Sequence, residues 1–486
     1  MLCAPCVTLS EIIGGERPCG GHGRCGKCRV IAKGHLSALT DIERKLLTDK
    51  ELSLGVRLAC LTRAMGDCEI ETQDMAERAQ IVTDGALPQF EINPSFKKYG
   101  AAIDIGTTTL AARLYSADGS FLSGISCENP QKRWAADVIS RVEAAMGGEA
   151  RALALAIRDA TDGMIRELAQ KADIDSREID GAVITGNTVM LSLLAEESVE
   201  PFSHAPFAAK RLFGEEILAV ELGLSSLLCD TRIYFPPCIS AFVGADTTCA
   251  IISTELCERE SAMLADIGTN GEIALWRGGR LTVCSTAAGP AFEGVGITMG
   301  MRGTVGAIDK VRLERGSMTA HVIGDISPKG ICGSGLVDAV ACMLESEIID
   351  ESGYLEDEEF TILHPIRLTP KDIRMLQLAK SAICAGIMTL LDNGDTPSRL
   401  YIAGGFGSYL NMDSAVRIGL IPKSLYTKAD AVGNAALGGA VMLLLNIDER
   451  KRAESLARGA ITVDLATNPT FSEFYLSGMA LEEIDQ

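Results

Sequence analysis

Four cysteines near the start of the chain have the spacing to hold iron. Cys19, Cys25 and Cys28 fall in the run Cys19-Gly-Gly-His-Gly-Arg-Cys25-Gly-Lys-Cys28, and the fourth, Cys60, follows in Arg57-Leu-Ala-Cys60. Three thiolates in a glycine-rich loop with a distant fourth are the plant-type way of holding a [2Fe-2S] cluster, although the first gap here is one residue longer than that pattern. Gly20, Gly21, Gly23 and Gly26 let the backbone bend tightly and bring amide N–H groups close to the sulfurs. A structural zinc site usually has two Cys-x-x-Cys pairs, and of these four only Cys25 and Cys28 make one. The loop is also one residue from a P-loop, but Cys28 stands where a magnesium-binding hydroxyl belongs. A Rieske centre needs two histidines on one iron, and only His22 and the remote His35 are on offer. The loop therefore predicts an electron carrier.

A second chemistry is written twice in the rest of the chain. Asp104-Ile-Gly106-Thr107-Thr108 returns as Asp266-Ile-Gly268-Thr269-Asn270, each between two apolar runs that read as strands of a hairpin. Each turn sets a carboxylate at a strand end, a glycine that allows close backbone approach, and hydroxyls and amides in one loop, which suits phosphate. One such turn would be an ordinary β-turn. Two can grip a triphosphate from opposite sides, with Asp104 and Asp266 holding Mg2+ mostly through water. A third element, Ala403-Gly404-Gly405-Phe406-Gly407, follows a strand and offers flat backbone to an adenosine.

These residues need elements to position them. The 486 residues predict two to four globular domains. Gly66–Thr72 reads as a strand closing an N-terminal module. The stretch 73–98 reads as a linker, with Gly85, Pro88 and Pro94 and no clean period. Helical stretches at Asp137 to Met146 and Ala150 to Lys171 alternate with strands at Gly181 to Gly186 and Leu400 to Gly404, which predicts α/β lobes, and the duplicated hairpin predicts two related ones. A further strand is expected at Ala460 to Leu465. The net charge of −20 disfavours nucleic acid and anionic membrane. It is carried by the body, since residues 1–72 hold 10 basic and 9 acidic groups. The longest apolar stretch, Ala435 to Leu445, is too short to cross a bilayer. Sixteen cysteines without a signal-like start predict a cytoplasmic protein. Cys3 and Cys6 read as incidental thiols.

The two hairpins and the Gly404 loop resemble the phosphate 1, phosphate 2 and adenosine motifs of the superfamily of acetate and sugar kinases, heat-shock chaperones and actin. Asn187-Thr-Val-Met190, Phe242-Val-Gly-Ala-Asp246, Ala287-Ala-Gly-Pro-Ala-Phe-Glu293-Gly and Gly330-Ile-Cys-Gly-Ser-Gly335 further resemble the reductive activators of corrinoid proteins, which also carry an N-terminal [2Fe-2S] domain with the Cys19 to Cys60 pattern. The resemblance implies a small β-grasp, ferredoxin-like module over 1–72 and a two-lobed, actin-like (ribonuclease H-like) ATPase, with lobe I over 99–262, lobe II over 263–450 and a C-terminal tail over 451–486. It departs from the family at the start, where only Met1 to Cys6 precede the Val7-Thr-Leu-Ser-Glu-Ile-Ile helix in place of a full hairpin.

By this resemblance Asp104, Gly106, Thr107 and Thr108 bind the first phosphate, Asp266, Gly268, Thr269 and Asn270 the second, and Gly404, Gly405 and Gly407 the adenosine. Asp246 stands either as a general base or water-orienting group, or as the cap of a helix beginning near Thr247. Glu293 is assigned to orienting magnesium or nucleotide, and is equally open to a surface or packing role, while Gly333, in the Gly330–Gly335 run, is assigned to nucleotide contact. The expected function is ATP-dependent reduction of an inactive Co(II) corrinoid methyl-carrier to Co(I). The cofactors are a [2Fe-2S] cluster, ATP and Mg2+. The partners are the corrinoid protein and an external low-potential electron donor, since the chain has no flavin or NAD fingerprint, and the oligomeric state stays open between monomer and homodimer. Two rivals remain at this stage: a kinase with a fused redox domain, and an iron-sulfur electron carrier indifferent to ATP.

Overall fold

The computed structural model describes residues 7–13, 28–72, 87–135, 137–392 and 394–485. The chain forms two compact units, Met1–Gln80 with Ala291–Leu376, and Ile81–Pro290 with Gln377–Gln486.

In the first unit, β1 (Arg29–Leu36), β2 (Val56–Leu58) and β3 (Ala64–Thr72) form an antiparallel sheet in the order β2-β1-β3. So small a sheet has little apolar surface to bury, and its core is correspondingly short: Leu9, Val30, Ala32, Ala59 and Ala64 in one cluster, Leu47, Val56 and Leu58 in another, with Cys28 packed against both. A buried polar hub supplements it. Glu43 is fully buried and accepts hydrogen bonds from Arg57 Nε at 2.9 Å, Thr62 Oγ1 at 2.9 Å and the Leu58 N–H at 3.1 Å, while Thr40 and Glu43 complete a capping box. Burial alone would raise the Glu43 carboxyl, but the Arg57, Thr40, Leu58 and Thr62 bonds outweigh it and bring the group down to about 2.

The second unit carries the duplicated pattern. β4 (Tyr99–Ile105), β5 (Thr109–Ser116) and β6 (Phe121–Glu128) run antiparallel in turn. β7 (Ile179–Gly186) joins the other side of β4 in parallel after the amphipathic helix Ala150–Lys171, followed by β8 (Glu215–Leu218) and β9 (Arg232–Phe235). β10 (Ser261–Ile267), β11 (Gly271–Arg277) and β12 (Arg280–Thr286) repeat the antiparallel meander. In the intervening stretch of the first unit, β13 (Ala307–Glu314), β14 (Ser317–Val322) and β15 (Gly330–Ile331) make a small sheet, and β16 (Phe360–Leu363) pairs with β17 (Ile366–Leu368). Back in the second unit, β18 (Leu400–Ala403) lies parallel to β10, β19 (Ala429–Gly433) lies parallel to β18, and β20 (Ile461–Thr462) lies parallel to β12. The sheets read β6-β5-β4-β7-β9-β8 and β19-β18-β10-β11-β12-β20. Each is a three-stranded meander with two parallel strands added beyond its first strand; β8 then extends the first sheet antiparallel to β9 and β20 edges the second beside β12, so the two form the related pair that the repeated hairpin predicts.

Two helices of the second unit pack closely between these elements. Ala435–Leu445 is buried on every side, and Ala245–Ser253 lies against it where a Cβ on Gly439 would stand 2.0 Å from the Cys249 carbonyl oxygen. Only glycine permits that approach. Ala102, Val183, Cys249, Leu437 and Val441 form the core around the crossing. The described part of the expected linker, from Leu87, is tied to this body: Phe96 is buried, and the Asn93 N–H donates to the Leu445 carbonyl at 2.7 Å. Among the described residues one helix, Pro370–Leu391, is long and apolar enough to cross a membrane by length and composition. It exceeds the apolar stretch that stands out in the sequence because Lys380, Ser381 and other polar residues interrupt its run. Most of it is buried in the protein, as a core helix is.

Candidate functional site

Four carboxylates of the second unit meet where both repeated hairpins turn. Asp104 and Asp266 are the penultimate residues of β4 and β10, and Glu272, in register with Asp266 across the β10–β11 pair, is the second residue of β11. Asp246 enters from the first turn of Ala245–Ser253. That helix begins at Ala245 with Gly244 as its N-cap, so Asp246 is not the cap of a helix starting at Thr247. Its Oδ1 does accept the Thr247 N–H at 2.7 Å. Gly244 could be nothing larger: a Cβ there would lie 2.4 Å from the Asn187 Cα and 2.7 Å from Asp246 Oδ1.

Like charges this close resist ionisation. Burial lifts Asp104 first of all; Asn434 Nδ2, donating to Asp104 Oδ2 at 2.9 Å, opposes it, and the fields of Asp246 and Asp266 add to the rise, leaving the carboxyl at about 7. Burial and the field of Asp246 bring Asp266 also to about 7. Burial pushes Asp246 up against the hydrogen bonds from Thr247, and pushes Glu272 well above the usual carboxylate range together with the fields of Asp246 and Asp266. Crowding of this kind favours the protonated carboxyls as long as no cation is present. Among the described residues no three His, Cys, Asp or Glu side chains converge tightly enough to ligate a bare ion. The arrangement fits a magnesium ion that keeps part of its water shell, the usual state of Mg2+ beside phosphates.

The Gly106–Thr108 turn is pinned from beneath. Asn129, fully buried, donates Nδ2 to the Gly106 carbonyl at 2.9 Å and its N–H to the Thr108 carbonyl at 2.9 Å. Arg141, also fully buried, donates Nη2 to the Thr107 carbonyl at 2.6 Å and Nη1 to Gln131 Oε1 at 3.2 Å. Gly106 is required because a Cβ would meet the Thr109 carbonyl at 2.6 Å. At the second turn the Gly268 N–H donates to the Asn270 carbonyl at 3.0 Å. Gly404 has φ +92° and sits where a Cβ would be 2.6 Å from the Ile267 carbonyl and 2.9 Å from Asp266 Oδ1, so the glycine loop closes directly on the second turn. Gly407 packs on Ile402, while the side-chain face of Gly405 is open.

The structure thus brings together Asp104, Asp246, Asp266, Gly106, Thr107, Thr108, Gly268, Thr269, Asn270, Gly404, Gly405 and Gly407 in one unit. Glu293 and Gly333 belong to the other unit, Gly333 as the first residue of the helix Gly333–Glu345. Sequence reasoning missed Asn129, Arg141, Glu272 and Asn434. Asn434 was findable, as an N-cap residue directly before an apolar helix. Arg141 gave no signal, because a helical arginine normally reads as solvated.

In the N-terminal module, Cys19 and Cys25 lie outside the described residues, as do Cys3 and Cys6. Cys28 and Cys60 are brought together as the spacing predicts: the Cys28 thiol donates to Cys60 Sγ at 3.1 Å, and the Cys60 N–H donates to Cys28 Sγ at 3.5 Å. Two adjacent sulfurs with a backbone donor aimed at one of them are compatible with a shared metal centre.

Two family descriptions match the chain, "RACo middle region" over residues 99–259 and "C-terminal domain of RACo the ASKHA domain" over residues 260–486. The corrinoid activation enzyme RamQ of Eubacterium limosum is 34% identical over 82% of this chain and 74% of its own length. The [Co(II) methylated amine-specific corrinoid protein] reductase of Methanosarcina barkeri is 30% identical over 66% of this chain and 68% of its own. A solved structure described as a reductive activator for corrinoid, iron-sulfur protein superposes with a TM-score of 0.74 at 28% identity, covering 98% of this chain and 96% of that one.

Proposed function

The chain belongs to the family of reductive activators of corrinoid proteins, and from that premise we propose that it delivers one electron from an N-terminal [2Fe-2S] cluster to a Co(II) corrinoid methyl-carrier, restoring Co(I) at the expense of ATP. When bound, the cluster supplies a one-electron store and MgATP the free energy that the transfer lacks. The observation that carries the reading is the presence, in one chain, of the vicinal Cys28 and Cys60 sulfurs and the acid cluster at the repeated phosphate turns.

The chain's own residues divide the work. Cys19, Cys25, Cys28 and Cys60 hold the cluster in a ferredoxin-like module, which the Glu43 hub stiffens on its described side. Asp104 and Asp266 hold hydrated Mg2+, Asp246 and Glu272 take up protons beside it, and the Gly106–Thr108 and Gly268–Asn270 turns donate to phosphate. Gly404, Gly405 and Gly407 receive the adenosine. Coupling to ATP has a physical reason. Plant-type clusters sit near roughly −400 mV, and each 59 mV by which the cobalt couple lies lower costs about a factor of ten in equilibrium for one electron. Nucleotide-dependent movement of elements that bracket the acid cluster can offset that deficit. The donor that reduces the cluster is external, and the reducing cytoplasm is the compartment that suits sixteen cysteines.

The test is anaerobic. Dithionite-reduced protein is mixed with a Co(II) corrinoid protein and the cobalt spectrum is followed with and without MgATP. The expected result is conversion to Co(I) only with MgATP. Conversion that is equal without nucleotide would establish the ATP-indifferent carrier instead, and a phosphorylated small-molecule product would establish the kinase.

A further inference from the structure

Asn187 stands at the N-cap of the short helix Thr188–Leu194, with both ends of its amide committed. Its Oδ1 accepts the Met190 N–H at 2.9 Å, and a backbone N–H can donate only to the oxygen, which fixes Nδ2 on the opposite side. There Nδ2 donates to Thr107 Oγ1 at 3.1 Å. A hydroxyl that accepts from an amide N–H still has its own proton to place. The Thr107 carbonyl, the nearest acceptor in sequence, is engaged from below by Arg141 Nη2 at 2.6 Å. Asn187 is also held in register with the acid cluster, since its Cα lies 2.4 Å, and Asp246 Oδ1 2.7 Å, from where a Gly244 Cβ would be.

From this chain of bonds we infer that Asn187 is a positioning residue that sets the polarity of the Thr107 hydroxyl, making it a donor toward the nucleotide phosphate at the first turn. The inference rests on the reading of this site as the ATP site. The physical logic is a relay of fixed direction: the helix N–H orients the amide, the amide orients the hydroxyl, and the hydroxyl meets an anion with its proton. Without Asn187 the Thr107 hydroxyl is free to rotate and can point a lone pair at the phosphate. With aspartate in its place the relay runs backwards, because a carboxylate accepts the Thr107 proton and leaves only lone pairs facing the ligand.

Asn187→Asp is therefore the informative change, since aspartate is as good an N-cap as asparagine and the helix start is preserved. Full-length protein is titrated with MgATP by calorimetry, and thermal stability without nucleotide is measured alongside. Asn187→Asp is expected to bind MgATP roughly 10- to 100-fold more weakly, the loss of a hydrogen bond to a charged acceptor, while the unliganded variant still melts cooperatively. Thr107→Val removes the hydroxyl and should weaken binding by a similar factor. In the Thr107→Val background Asn187→Asp should then add only the smaller effect of its charge, and Asn187→Ala should add nothing. Additive losses in the double variants, or single Asn187 variants that bind within about threefold of wild type, overturn the inference while leaving the ATP site standing. Absence of MgATP binding by the wild-type protein overturns the ATP site, and the inference with it.

Discussion

Replacing Asp266 with asparagine should make the nucleotide-free protein more stable while stripping it of its response to MgATP. Burial and the field of Asp246 hold Asp266 at about 7 against an ordinary 3.8. A rise of about three pH units at about 1.36 kcal/mol each sets a ceiling of about 4 kcal/mol on what the ionisable carboxyl costs the folded state at pH 7. Because Asp266 is partly exposed, water screens part of this, and about 2 kcal/mol is the expected gain. In a body of this size that is a rise of roughly 2–4 °C in Tm. The sign with pH follows from proton counting. Between about pH 4 and 7 the folded protein holds a proton on Asp266 that the unfolded chain has lost, so stability falls as pH rises through that window and levels off above it. The advantage of Asp266→Asn should thus be full at pH 7.5 and less than half as large at pH 5. Differential scanning calorimetry at both pH values, with EDTA and no nucleotide, measures it. MgATP should then raise the Tm of the wild type and leave the variant nearly unmoved. A variant that melts at or below the wild type at pH 7.5, or by the same difference at pH 5, would refute the charge-crowding account.

Cys28→Ser and Cys60→Ser should each cut bound iron and visible absorption of anaerobically purified protein sharply, without moving MgATP affinity; retention of full iron content would remove these two sulfurs from the centre. Glu43→Gln should destabilise the N-terminal module by about 3 kcal/mol, since it leaves Arg57 buried without its charge partner. The carboxyl is held down at about 2, so its contribution is complete above its ordinary 4.5 and is lost as pH falls through 2. Denaturant unfolding at pH 7 and pH 3 should accordingly show the variant's deficit shrinking at the lower pH. Gly404→Ala forces a left-handed φ and a clash with the Ile267 carbonyl, and should weaken MgATP binding by about tenfold or more at a stability cost of about 1–3 kcal/mol, read by calorimetric titration and melting.

Much of this molecule is legible in its residues because the chemistry is local. A Cys-x-x-Cys step, an Asp-Ile-Gly-Thr turn and a Gly-Gly-x-Gly loop each act through neighbours a few bonds away, so spacing alone identifies the groups, and the repetition of the hairpin announces two related sheets. Strand placement followed equally well: β7, β18 and β20 fall where apolar runs between turn residues predict them. The misreadings arise where meaning depends on distant contacts. Asp246 stands open between base and cap until Gly244, squeezed against Asn187, takes the cap role two residues earlier. Arg141 resembles any surface arginine of an amphipathic helix, yet it is fully buried beneath Thr107. Glu272 looks like a polar residue at a strand start, yet strand register sets it beside Asp266.

By itself the sequence determined which groups are present and which chemistry each suggests: four cysteines spaced as for iron, two hydroxyl-bearing acidic turns as for a magnesium-phosphate ligand, a glycine loop as for a base. Only the tertiary structure decided their protonation and orientation. Proton affinity depends on how many like charges share one poorly hydrated space, and hydroxyl direction depends on which donors are already spent. Both are set by residues 80 to 330 positions apart in the chain, as the Thr107–Asn187 and Asp104–Asn434 bonds are.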